Sequence, residues 1–243
     1  MRRAALLVVL VLPLAACGGG GSKSSSSQTP VDAVKSAAQK TYSAGSESMA
    51  VTASIDAAGQ SVALSGKGAF DTKSLKGSMS LNVHAGPVTT TVDEVLSGTA
   101  VYLKSPLLTA ALPGGKTWVK IDLANMHLSG VDLQSLLAQD PSAQLKALEV
   151  AKSATKVGSE QVGGVSATHY RVQTAQKTFP NYDVWVGDDG YIHRVQVAQP
   201  SPKVSVTVDL SKFGEKVSSS VPPASQVYAS KTGTIPGLGG TGS

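Results

Sequence analysis

From residue 48 onward, apolar side chains recur at every second position. Over 48–56, Met49, Val51, Ala53 and Ile55 fall on one side, and Ser48, Thr52, Ser54 and Asp56 on the other. Strict alternation marks a strand with one dry and one wet face. The same period runs through 61–71, where Val62, Leu64 and Phe70 share the apolar side with Gly66 and Gly68. It continues through 75–84, where Leu75, Met79, Leu81 and Val83 alternate with polar residues. Further strands are predicted at 88–96, 99–104 and 117–122. After a break they resume near 156 and at 165–174, 182–186, 192–198 and 203–210. Short Gly- or Ser-bearing turns between such runs predict an antiparallel meander. Asp188-Asp189-Gly190 is read as a hairpin turn, with the glycine supplying positive φ.

Helical spacing appears in three places. Thr29-Pro30 has the form of an N-cap followed by proline at the first helical position. Val31, Val34, Ala38 and Tyr42 then predict a helix over 30–44. In the middle of the chain, Leu133, Leu136 and Leu137 mark a short helix. Asp140-Pro141 restarts the chain into another that carries Leu145 and Leu148. The expected fold class is α+β: one large, curved antiparallel sheet, a half-barrel of about ten strands, with about three helices on its concave face. A sheet of that size tends to curl.

The first sixteen residues change the picture. Arg2 and Arg3 precede a nine-residue apolar run, Ala4 to Leu12, that Pro13 ends. This basic-then-apolar order is that of a secretory signal, and the run is far short of the ~20 residues that span a bilayer. The leader closes on Leu14-Ala15-Ala16-Cys17, which is similar to a bacterial lipobox. Cys17 is the single cysteine of the chain and is the expected lipidation site, with its acyl chains (palmitate among the usual ones) anchoring the protein at the extracytoplasmic face of the cell membrane. Two or more chains give a stable anchor where one does not. The expected layout is a signal peptide at 1–16, a lipidated Cys and Gly/Ser tether at 17–28, a single domain at 29–229, and a Gly-rich disordered tail at 230–243.

Composition then removes function classes. A single cysteine allows no internal disulfide and no cysteine-based metal site. The formal charge of +5 includes Arg2 and Arg3 of the leader, and the other basic residues are scattered, which argues against nucleic acid as a partner. His84, His127, His169 and His193 show none of the spacings of metal or nucleophile motifs, and no GxSxG or phosphate loop occurs. Asp93 and Glu94 are adjacent on a strand and point to opposite faces, so they form no acid/base couple. No enzymatic activity, cofactor or metal is expected.

The chain resembles the actinobacterial lipoproteins of the LppX/LprA/LprF/LprG family, whose fold is related to the carriers LolA and LolB. The resemblance rests on Leu14–Cys17, on Thr117-Trp118-Val119-Lys120, on Gly163-Gly164-Val165 leading to His169-Tyr170, and on Asp183-Val184-Trp185-Val186 leading into Asp188-Asp189-Gly190-Tyr191-Ile192. It implies an apolar cavity holding lipids or lipidated glycans, in a carrier or presenter of the cell envelope. The alternative it leaves open is an envelope sensor or protein-interaction module without lipid cargo, with an envelope protein as partner. Expected lipid-binding residues are Leu107 and Leu108, in a leucine-rich connection, with Met126, Leu128, Leu133, Leu136, Leu137, Leu145 and Leu148. Acyl chains are recognised by area and volume, which suits leucine and methionine.

Overall fold

The computed structural model describes residues 28–57, 60–122, 145, 148–175, 181–200 and 203–229. The leader, Cys17, most of the tether and the tail lie outside them, as does 123–144 with Met126, His127, Leu128, Leu133, Leu136 and Leu137.

Helix α1 (Pro30–Ala44) starts as its sequence predicts. Thr29 caps it, its hydroxyl accepting from the Asp32 N–H at 3.3 Å, with Pro30 in the first turn. Gly45 ends it in the left-handed conformation at φ 80°. Six strands then meander: β1 (Ser46–Ala57), β2 (Gln60–Asp71), β3 (Lys76–Ala85), β4 (Val88–Ser97), β5 (Ala100–Lys104) and β6 (Trp118–Asp122). Between β5 and β6 sits α2 (Pro106–Ala111). A second meander follows: β7 (Ser153–Val162), β8 (Val165–Gln173), β9 (Asn181–Gly187), β10 (Ile192–Pro200) and β11 (Lys203–Ser211). A short final strand, β12 (Val227–Ala229), ends the described chain.

All twelve strands join one sheet in the order β12-β6-β5-β4-β3-β2-β1-β11-β10-β9-β8-β7. The two meanders meet at the centre, where β1 pairs antiparallel with β11, Met49 opposite Leu210 and Val51 opposite Val208. At the β6 edge β12 adds in parallel, Tyr228 opposite Val119. The architecture is the expected half-barrel, with three corrections to its details. The sheet has twelve strands rather than about ten, and β12 makes it mixed. Two α-helices lie wholly within the described residues, α1 and α2; of the two mid-chain helices that the sequence predicts, the first falls outside them, and of the second Leu145, Leu148 and Glu149 are described and helical. Helix α2 occupies what reads in sequence as a leucine-rich connection. Strand β3 also begins one residue later than its alternation suggests, because Leu75 belongs to the turn at φ 50° and is exposed.

The main core lies on one face of the second meander. Val34, Ala37 and Ala38 of α1, together with Leu145, Leu148 and Ala151, pack on Val172, Val184, Ile192, Val195 and Leu210. A polar contact fixes the helix to the sheet. The buried Thr41 hydroxyl donates to the Ala37 carbonyl at 2.8 Å and accepts the Ile192 N–H at 2.9 Å, where β10 bulges against β9. Thr41→Val keeps the shape but strands that N–H, so a loss of about 1–3 kcal/mol is expected. Urea unfolding of the two proteins measures it.

Lys40 reaches the Asp189 carbonyl and stands over the Tyr191 ring, 4.4 Å from its centroid, tying the end of α1 to the β9–β10 hairpin. That hairpin turns at Gly190, φ 79°, as its Asp-Asp-Gly sequence predicts.

Candidate functional site

Residues directly opposite in register share a face, so the rows of the sheet can be followed strand by strand. One row runs Leu210, Met49, Gly68, Met79, Glu94, Leu103 and Val119 from β11 to β6. Met49 belongs to the core under α1, and Leu103 packs beside Leu108 and Leu112 under α2. Both helices therefore cover the same face, the concave one, from opposite ends.

Between them the described part of the concave face is apolar and only half-buried. The next row along is Val208, Val51, Gly66, Leu81 and Val92, followed by Val206, Ala53, Leu64, Val83 and Thr90. Leu64, Leu81, Val83 and Val92 are intermediate in burial and belong to none of the buried clusters. Toward the rim Ile55 and Val88 are exposed. Strands are ~4.8 Å apart and rise ~3.4 Å per residue, so β1–β4 present an apolar strip about 14 Å in each direction. Gly66 makes room for its larger neighbour. A Cβ there would come within 2.5 Å of Leu81 Cδ2, so the leucine lies across the glycine.

A carboxylate stands at one end of the strip. Glu94 stands between Met79 and Leu103 in register, and burial pushes its carboxyl above the ordinary 4.5. A carboxyl whose folded pKa exceeds its unfolded one carries no penalty below 4.5. Stability falls as pH rises through that window and is flat above the folded value. Glu94→Gln is therefore expected to gain stability over wild type as pH rises from about 4, which thermal melts at several pH values will register. A constant difference across pH would contradict it.

The convex face is organised differently. In the second meander His169, Trp185, Arg194 and Asp209 form one cross-strand row. The His169 ring stacks on Trp185 at 4.2 Å and contacts Asp183 through Nε2 at 2.8 Å. Trp185 Nε1 donates to Glu160 at 2.5 Å. Arg194 donates to both oxygens of Asp209, at 2.5 and 2.9 Å, and the bonded carboxylate raises its pKa further. Each of these groups has a partner on this face, so the arrangement braces the sheet. His193 is likewise held by Asp189 and packs edge-on to Phe213, and His84 pairs with Thr89. Among the described residues no group of three or more His, Cys, Asp or Glu could hold a metal ion. No described helix is long and apolar enough to cross a membrane.

An open depression of about 470 Å³ lies at β2–β4. Lys67, Ala69, Ser78, Ser80, Asp93 and Val95 supply most of its lining and project from the convex face; Gly68, Met79 and Glu94 come from the row between. Its charged rim makes it a poor seat for an acyl chain, and the apolar strip is the better candidate.

No protein-family model matches the sequence, and no curated protein matches it either. Solved structures do. The lipoprotein LppX of Mycobacterium tuberculosis aligns over 77% of this chain and 96% of its own, at 14% identity and a TM-score of 0.51. The chain has the LppX fold. LprF of Mycobacterium bovis aligns over 78% of this chain and 94% of its own, at 14% identity and a TM-score of 0.48. A LolA-superfamily protein of Nitrosomonas europaea aligns over 76% and 92%, at 9% identity and 0.31. The resemblance to LppX thus holds at the level of the fold.

Within the LppX fold the leucines singled out by sequence go to different places. Leu107 on α2 is 62% exposed. Its neighbour Leu108 is buried with Leu112, Val119 and Ile121. Leu145 and Leu148 pack into the main core, at 1% and 0% exposure. Sequence reasoning did not select the strip itself, Leu64, Leu81, Val83 and Val92. Their alternation was visible, but a dry strand face reads as core until something is shown to cover it.

Proposed function

We propose that this chain is a membrane-anchored lipoprotein that holds lipids or lipidated glycans against its concave face, as a carrier or presenter in the cell envelope. The observation that carries this reading is the half-buried apolar strip of β1–β4 between α1 and α2. Burying apolar surface is worth roughly 25 cal/mol per Å², or about 0.8 kcal/mol per methylene, so an acyl chain laid along the strip gains several kcal/mol without any directed bond. The LppX fold supports it, since that protein is itself a lipoprotein.

Cys17 is the proposed anchor, with residues 1–16 removed as a signal peptide and the 18–28 tether holding the domain off the outer face of the membrane. Of the leucines picked out by sequence, Leu107 stands free on α2 to meet cargo. Leu108, Leu145 and Leu148 form the packed walls at the two ends. Met126, Leu128, Leu133, Leu136 and Leu137, outside the described residues, remain lipid-binding candidates on their sequence alone.

The test uses residues 18–243, which contain every described element of the fold. Titrated with cis-parinaric acid, whose fluorescence rises in an apolar site, this chain is expected to give a saturable signal that unlabelled oleate displaces. Absence of a saturable signal overturns the reading.

A further inference from the structure

On β4 the concave positions Thr90, Val92, Glu94 and Leu96 carry two polar groups that have no hydrogen-bond partner among the described residues. Among the described residues no hydrogen bond or ion pair reaches the Glu94 carboxylate, although Met79 and Leu103 flank it in register and half bury it. Four residues earlier, about 14 Å along the strand and opposite Val83 in register, Thr90 Oγ1 is buried with no hydrogen-bond partner among the described residues. The contrast with the next residue is instructive. Asp93 points to the other face and accepts from Ser80 Oγ at 2.8 Å. Lys67 and Lys104, which share a cross-strand row with Asp93, project away from Glu94 on that same convex face. The cations of this part of the sheet are thus on the wrong side to pair with it.

A carboxylate in an apolar wall costs free energy unless something hydrogen-bonds to it, and folded proteins rarely leave such groups unmatched. Perturbed, unpaired acids concentrate at binding sites for that reason. Glu94 also sits at one end of the apolar strip, with Val92, Leu81 and Val83 leading away from it.

We infer that Glu94 anchors the polar end of the bound lipid, and that this lipid carries an uncharged hydroxyl-bearing head, as an acylated glycerol or sugar does. This rests on the lipid-binding reading above and deepens it. The hydroxyl donates to the carboxylate without bringing a second charge into an apolar site, while a phosphate head would meet Glu94 as a like charge. The acyl chains would lie over Val92, Leu81 and Val83.

The experiment compares three probes on residues 18–243, each by displacement of cis-parinaric acid: dioleoylglycerol, its O-methyl ether, and dioleoyl phosphatidate. The ether differs from the first only by a capped hydroxyl. Wild type is expected to bind dioleoylglycerol about tenfold more tightly than the ether, the size of effect a hydrogen bond to a charged group gives, and to bind phosphatidate weakest of the three at neutral pH. Glu94→Leu should bind dioleoylglycerol and the ether alike. Glu94→Gln, isosteric and uncharged, should retain less than half of the wild-type preference. It decides the matter if the leucine variant fails to fold. Equal binding of alcohol and ether by wild type, or the full preference surviving in either variant, overturns the assignment to Glu94 and leaves the lipid-binding reading standing. If no probe binds any of the proteins, the lipid-binding reading falls and this inference with it.

Discussion

Leu148→Ala is expected to lower the unfolding free energy by about 2–5 kcal/mol, the range for a leucine truncated in a packed core. Leu148 is 0% exposed and, with Leu145, belongs to the cluster that joins Val34 and Ala38 of α1 to Val172 and Val184 of the sheet. Its removal leaves a cavity bounded by α1 on one side and a twelve-stranded sheet on the other. Neither can collapse freely, because Thr41 and Lys40 pin the helix to β10 and to its hairpin. The loss should therefore sit in the upper half of the range. Leu107→Ala supplies the control. At 62% exposure its side chain has little packing to lose, and a change within about 0.5 kcal/mol is expected. Urea midpoints for the three proteins decide it, and near-equal midpoints for Leu148→Ala and wild type would remove Leu148 from the core.

The second large effect is on binding. Leu81→Asp should weaken cis-parinaric acid binding at least tenfold, to the limit of detection. Leu81 is at the centre of the strip, with Val92 on one side in register and Gly66 on the other. The substitution removes most of an apolar side chain and sets a carboxylate against the acyl chain. A charge cannot be buried unpaired there without large cost, so bound lipid must either leave or keep the site wet. Because Leu81 is only half-buried and belongs to no buried cluster, the fold should survive. Unchanged far-ultraviolet circular dichroism will establish that. A folded Leu81→Asp protein with undiminished binding would place the lipid elsewhere.

Much of this fold could be read from the chain itself. The alternation in β1, β2, β3 and β11 gave strand and face together, because those strands have one dry and one wet side. Thr29-Pro30 and Gly190 announced their cap and turn through side-chain chemistry that needs no distant partner. What escaped depended on partners far away in sequence. The pairing of β1 with β11 closes about 150 residues and leaves no local mark, and neither does the parallel addition of β12 to β6. Helix α2 is six residues long, too short for periodicity to show. Yet Ser105-Pro106 repeats the cap-then-proline signal of Thr29-Pro30, and the Ser105 hydroxyl does accept the Leu108 N–H at 3.2 Å.

The candidate site was half legible. That Asp93 and Glu94 must face opposite ways followed from strand geometry. Which of the two meets the apolar side follows from Val92 and Leu96 flanking Glu94 by two. That no described residue pairs with its carboxylate could come only from three dimensions. The ladder of His169, Trp185, Arg194 and Asp209 was hidden for the same reason: four residues on four strands become a row only when the register is known.

The central claim is that the concave face holds lipid. Native mass spectrometry of residues 18–243, purified without detergent from bacterial cells, tests it most directly. The account predicts a population heavier than the polypeptide by the mass of a hydroxyl-bearing acylated lipid, recoverable by organic extraction and reduced in Leu81→Asp. Bare polypeptide in repeated preparations, with no lipid in the extract, would contradict it.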